Sequence, residues 1–167
     1  MVERAHNVLF LCTGNSARSI LAEALLNHVG QGRFRGFSAG SFPKGQVHPV
    51  ALELLERMNL PTAGLRSKSW DEFATNDAPA IDFVITVCDN AAGEVCPIWP
   101  GKPMTAHWGL ADPAAIQGAA DTATAFRRTF AELETRLKAF IEIPIDELDR
   151  SAIQQALHDS PIVQNQV

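Results

Sequence analysis

The chain has 167 residues, 46% of them hydrophobic and 20% charged, with a net charge of −5 and no tyrosine. This composition excludes a disordered or collagen-like chain and allows one domain with a sizeable core. The acidic balance argues against a nucleic-acid binder, which needs a basic face, but leaves room for a local pocket that holds a small anion.

Val8-Leu9-Phe10-Leu11 is a short apolar run ending in a turn-rich stretch, as in a strand buried on both faces. Ile20, Leu21, Ala24, Leu25 and Val29 then recur at helical spacing, and Gly30 and Gly32 stop that helix. Phe34–Ala39 is a second strand, closed by Gly40. His48-Pro49 opens a second helix with Val50, Leu52, Leu54, Leu55 and Met58 apolar. Ser69 caps a short helix, Trp70-Asp71-Glu72-Phe73. Ile81–Val87 is the clearest strand, and Met104–Trp108 a last short one. From about Thr122 to Ile141 runs the longest helix, with Phe126, Phe130, Leu133, Leu137 and Phe140 on one stripe. Trp70, Trp99 and Trp108 read as core or rim packing, the last two as candidates for a pocket lip. Alternating strands and helices predict an α/β domain with a parallel sheet and helices on both faces. Ligands of such folds bind beyond the carboxyl ends of the strands.

No apolar stretch approaches the ~20 residues of a membrane span, and no targeting segment is visible. The three cysteines, Cys12, Cys88 and Cys96, are an odd count, which suits a reducing compartment rather than a disulfide framework. The expectation is a soluble cytoplasmic protein with no membrane and no nucleic-acid partner.

The segment Cys12-Thr13-Gly14-Asn15-Ser16-Ala17-Arg18-Ser19 carries most of the chemistry. Between a strand and a helix, such a loop aims backbone N–H groups into one concavity at the positive end of the helix dipole. Gly14 and Asn15 tolerate left-handed backbone angles. Arg18 offers a planar fork for two oxygens of a tetrahedral anion. The amides of Thr13 to Arg18 thus form an oxyanion cradle, with Cys12 expected as a thiolate and Ser19 as a donor to its sulfur. No Gly-Lys-Ser/Thr is present, so a nucleotide-binding loop does not fit. Cys88, Cys96 and His107 make a poor zinc set, because structural sites favour closer cysteines.

The segment Cys12–Ser19 resembles the phosphate loop of the low-molecular-weight protein tyrosine phosphatases, and Asp112-Pro113 resembles their general-acid loop. The resemblance covers roughly Asn7–Ile141. Residues 1–141 are therefore taken as the family-like domain. Residues 142–167 are taken as a C-terminal extension, with a short helix in Ile145–His158 and a loose tail in Asp159–Val167. The implied fold is flavodoxin-like, three layers around a four-stranded parallel sheet. The implied alternative function is hydrolysis of phosphotyrosine or small phosphomonoesters through a phosphocysteine. A non-enzymatic anion or redox sensor is disfavoured, because nucleophile, arginine and acid are all present.

Two features turn the resemblance toward the arsenate reductases built on that fold. Ala114-Ala115 follow Asp112-Pro113, where the phosphatases usually carry aromatic residues, and Cys88 and Cys96 follow the third strand. The resemblance implies that Cys12 attacks arsenate while Asp112 protonates the departing hydroxide. Cys88 then attacks Cys12, releasing arsenite, and Cys96 moves the disulfide to Cys88–Cys96. No bound cofactor is implied. The external reductant the resemblance implies is thioredoxin, with glutathione and glutaredoxin as the other candidate. Seven residues separate Cys88 from Cys96, one more than in the best-known thioredoxin-coupled members. Joining these cysteines needs Cα atoms within about 7 Å, so the stretch Asp89–Val95 is expected to rearrange between reduced and oxidised forms. Asn15, Glu23 and Ser38 match part of a potassium site held by some members. Lys68 stands near the place of the missing carboxylate, and no bound potassium is expected.

Overall fold

The computed structural model describes residues 5–88 and 99–158. Cys96, the stretch Asp89–Val95 and the tail Asp159–Val167 lie outside the described residues. Four strands are present: β1 (His6–Leu11), β2 (Phe34–Ala39), β3 (Phe83–Thr86) and β4 (Met104–His107). The α-helices among the described residues are α1 (Arg18–Val29), α2 (Pro49–Arg57), α3 (Ala119–Ile141) and α4 (Arg150–His158). Single 3-10 turns occupy Trp70–Phe73, Pro113–Ala115 and Ile145–Glu147. None of the described helices is long and apolar enough to cross a membrane.

The sheet is parallel throughout, in the order β2-β1-β3-β4. β1 is central, which explains its unbroken apolar run: both faces of the strand are covered. Val8 and Phe10 point into one cluster, with Leu21 and Leu25 of α1, Leu55 of α2, Phe126 and Phe140 of α3, and Ile153 and Leu157 of α4. Leu9 and Leu11 point into the other, with Trp70, Phe73, Val84 and Trp99. Each large side chain buried this way contributes about 2 kcal/mol. All four described helices thus serve one face. Among the described residues, the opposite face carries a 3-10 turn and Trp99, whose ring meets Trp70 edge-on at 6.3 Å. Trp108 lies in the core under the Arg136 guanidinium, 5.5 Å from its ring centre.

The extension joins this body. Gln154 of α4 donates to the Thr105 carbonyl at 2.7 Å and Arg150 to that of Lys102 at 3.0 Å. The Gln154 side chain therefore occupies an acceptor of β4, where another chain would otherwise pair, and Arg150 one just before the strand. The crossover directions reverse at the β1–β3 boundary. The crevice at the carboxyl ends of these two strands is the place such a topology reserves for a ligand.

Candidate active site

Register brings the thiols together. Leu11 of β1 pairs with Thr86 of β3, and the Val87 N–H donates to the Leu11 carbonyl at 2.9 Å. The residues that follow each strand, Cys12 and Cys88, therefore leave the sheet side by side. Both are buried, at 4% and 2% exposure. The Thr13 N–H donates to Cys88 Sγ at 3.4 Å, so the second thiol sits inside the loop that begins with the first.

The loop faces inward for a reason visible in its carbonyls. Thr13 O accepts from the Phe42 N–H at 3.0 Å, Gly14 O from Lys44 at 2.9 Å and Ser16 O from His48 at 2.9 Å. In a trans peptide the C=O and the following N–H point in opposite directions. Carbonyls drawn outward at these positions turn the N–H groups of Gly14, Asn15 and Ala17 the other way. Asn15 takes the left-handed angle, φ 44°, that this path needs. Gly40 closes β2 against the loop, and a Cβ there would come within 2.6 Å of the Cys12 carbonyl oxygen. The helix that follows starts without a cap: Ala17 has no side-chain bond to the first turn of α1, which carries no acidic residue. The amides of that turn and the positive end of its dipole are thereby left for an anion.

These groups meet in a cavity of about 180 Å³, lined by Cys12, Thr13, Gly14, Ser16, Ala17, Arg18, Phe42, Lys44 and Asp112. Arg18 is held by Nη1 donating to the Leu110 carbonyl at 3.0 Å, with Nη2 3.6 Å from Asp112 Oδ2. Its Nε is buried and has no hydrogen-bond partner among the described residues. A buried, unspent guanidinium N–H beside a cysteine is what a tetrahedral oxyanion requires. Asp112 uses Oδ1 to cap the turn that follows, accepting from the Ala114 N–H at 2.9 Å, which leaves Oδ2 facing Arg18. A larger cavity of about 560 Å³ lies between α2 and α3 and has no cysteine on its walls.

A hydrogen bond with the Cys88 thiol, then burial, pushes the Cys12 pKa up, against the pull of Arg18 and the Gly14 amide. Ser19 accepts from Asn15 Nδ2 at 2.8 Å, which keeps the hydroxyl proton available for donation. The side chains of Asn15 and Ser19 are buried behind the loop and are not among the cavity walls. Neither Trp99 nor Trp108 forms its lip.

Behind the loop, Asn15 Oδ1 accepts from the Lys68 N–H at 2.8 Å. The Lys68 ammonium donates to the carbonyls of Ser38 and Arg66, both at 2.8 Å, and lies 3.8 Å from Glu23 Oε1. Ser38 donates to the same carboxylate oxygen at 2.6 Å. Burial pushes the Glu23 carboxyl up against the opposing pull of Ser38 and Lys68, and burial pushes the Lys68 ammonium down. No group of three or more His, Cys, Asp or Glu side chains suited to a metal ion occurs among the described residues. Sequence reasoning missed Phe42, Lys44 and His48 as neighbours of the loop. They reach it through backbone hydrogen bonds, which leave no residue-type signature.

Residues 7–154 match the family model of the low molecular weight phosphotyrosine protein phosphatases. The chain is 35% identical over 136 residues to an arsenate reductase of Bacillus subtilis, covering 81% of this chain and 94% of that protein. It is similar to a solved arsenate reductase in the phosphate binding state, with a TM-score of 0.66, 26% identity, and coverage of 81% of this chain and 96% of that one. It also resembles a thioredoxin-dependent arsenate reductase of Corynebacterium glutamicum, with a TM-score of 0.62 and 29% identity over 83% of this chain. This chain spans 61% of that structure's length.

Proposed function

The chain belongs to the low molecular weight phosphotyrosine protein phosphatase family, and from that premise we propose that it reduces arsenate to arsenite by a thiol relay. The observation that carries the reading is the second thiol: Cys88 Sγ lies in the phosphate loop, bonded to the Thr13 N–H and to the Cys12 thiol. Hydrolysis needs one cysteine; reduction needs two within reach of each other.

The amides of Gly14, Asn15 and Ala17, together with Arg18 Nε, hold the anion. Arg18 and the Gly14 amide stabilise the Cys12 thiolate once its proton leaves. The thiolate attacks arsenic, and the As–OH bond breaks as Asp112 delivers a proton, releasing water. The Cys88 thiolate then attacks Cys12 Sγ. The S–As bond breaks with its electron pair staying on arsenic, which goes from As(V) to As(III), while the two sulfurs lose one electron each to form a disulfide. Cys96 would carry that disulfide on to an external thiol reductant, thioredoxin being favoured over glutathione with glutaredoxin. The Lys68 ammonium, set among the Ser38 and Arg66 carbonyls, fills the place of a bound cation.

A second reading, hydrolysis of an aryl phosphate through a phosphocysteine, is favoured by Phe42, whose ring lines the cavity and is 73% exposed. The test supplies arsenate, thioredoxin, thioredoxin reductase and NADPH and follows NADPH consumption. Wild type turns over, Cys12→Ser is inactive, and Cys88→Ser and Cys96→Ser do not turn over. Normal turnover by Cys88→Ser overturns the relay. Aryl phosphate hydrolysis without arsenate turnover assigns the chain to the second reading.

A further inference from the structure

The oxyanion cavity has a second cation on its wall that the relay does not use. Lys44 is anchored to the loop by its own N–H, which donates to the Gly14 carbonyl at 2.9 Å. Its stem lies flat across Gly14: a Cβ on residue 14 would meet Lys44 Cε at 3.2 Å, Cγ at 3.3 Å and Cδ at 3.5 Å. Gly14 has no left-handed angle, and a Cβ there would press on this stem by a few tenths of an ångström. Lys44 lines the same cavity as Cys12 and Arg18. There Lys44 has no carboxylate or hydrogen-bond acceptor of its own among the described residues, and the charged and titratable groups around it are Arg18, Asp112, His48 and the Cys12 thiol.

We propose that Lys44 is a second cationic ligand of the oxyanion, so that the pocket selects the doubly charged form of a tetrahedral anion over the singly charged one. Arg18 and Lys44 together supply two positive charges, against the one Asp112 carboxylate that lies 3.6 Å from Arg18. The planar fork of Arg18 fixes orientation, and the lysine acts as a point charge on the remaining oxygens. This rests on reading the cavity as an oxyanion site, as the proposed reduction does.

The experiment titrates the Cys12→Ser protein with inorganic phosphate by calorimetry, so that binding is read without any redox step. Lys44→Met, an exposed substitution with folding checked by thermal melting, is expected to raise Kd about tenfold above neutral pH. The loss shrinks below neutral pH, where phosphate is mostly singly charged. Lys44→Arg keeps the charge and stays within about threefold of the parent protein. An unchanged Kd and pH profile in Lys44→Met overturns the proposal. A tenfold loss in a protein whose wild type does not reduce arsenate overturns the reductase reading and leaves Lys44 as an oxyanion ligand.

Discussion

On the cavity side of the Cys12–Ser19 loop, polar groups are left unspent: Arg18 Nε is buried without a partner among the described residues, and α1 begins without a cap. On the far side, Asn15, Ser19, Lys68, Ser38 and Glu23 are joined in one buried network of bonds between 2.6 and 2.8 Å, closed by the 3.8 Å ion pair. The difference separates two tasks. The far side fixes the shape of the loop before any anion arrives, so that binding spends little on reorganisation. Substitutions behind the loop should therefore cost stability, and substitutions in front of it binding and turnover.

The largest effect tests the far side. Lys68→Ala strips the cation from a buried carboxylate and frees the carbonyls of Ser38 and Arg66. Removing one partner of a buried pair costs about 3–5 kcal/mol, and protonation of Glu23 keeps the loss near the lower end. Urea unfolding reads it. Potassium should restore part of the loss in Lys68→Ala and leave wild type unmoved. A wild type that gains melting temperature or turnover from potassium contradicts the assignment of the cation's place to Lys68.

Asn15 allows a finer cut. Its side chain makes two buried bonds, to Ser19 and to the Lys68 N–H, and its backbone sits at φ 44°. Asn15→Gly removes the bonds and keeps the backbone at ease, for a loss of about 1–2 kcal/mol. Asn15→Ala adds the left-handed penalty, about 1 kcal/mol more. Equal losses in the two variants would mean that the backbone angle carries no strain for a side chain here.

The strands, the loop after β1 and the Asp112-Pro113 turn were legible because each is local: an apolar run, a cluster of Gly, Asn and Arg, an Asp-Pro pair. The 3-10 turn behind Ser69 and the start of α2 at Pro49 were legible for the same reason, since a capping side chain sits within two residues of the amide it serves. What was not legible is non-local. The upward push on the Cys12 pKa comes first from Cys88, on another strand. Lys44 reaches the cavity because a stretch after β2 lies along the loop through backbone bonds that any residue type could make.

The smallest effect comes from His48, at the seam between the two sides. Its backbone N–H holds the Ser16 carbonyl at 2.9 Å, its Nδ1 accepts from the Val50 N–H at 3.1 Å as the cap of α2, and its ring lies 4.9 Å from that of Phe126. Burial, then the Lys44 charge, lowers its pKa from the ordinary 6.5, with Asp112 pulling the other way. The sign follows from proton counting. Below 6.5 the unfolded chain takes up a proton that the folded histidine refuses, so stability falls as pH drops through 6.5 toward the folded value and is fully present above it. His48→Asn keeps a capping oxygen and the backbone bond to Ser16 but has nothing to titrate. Urea unfolding between about pH 5 and 7 should give a shallower slope for His48→Asn than for wild type, with stability near neutral pH little changed. An equal slope in both proteins would assign the acid sensitivity to another group. A large loss near neutral pH would show that the ring against Phe126, rather than the cap, holds this seam.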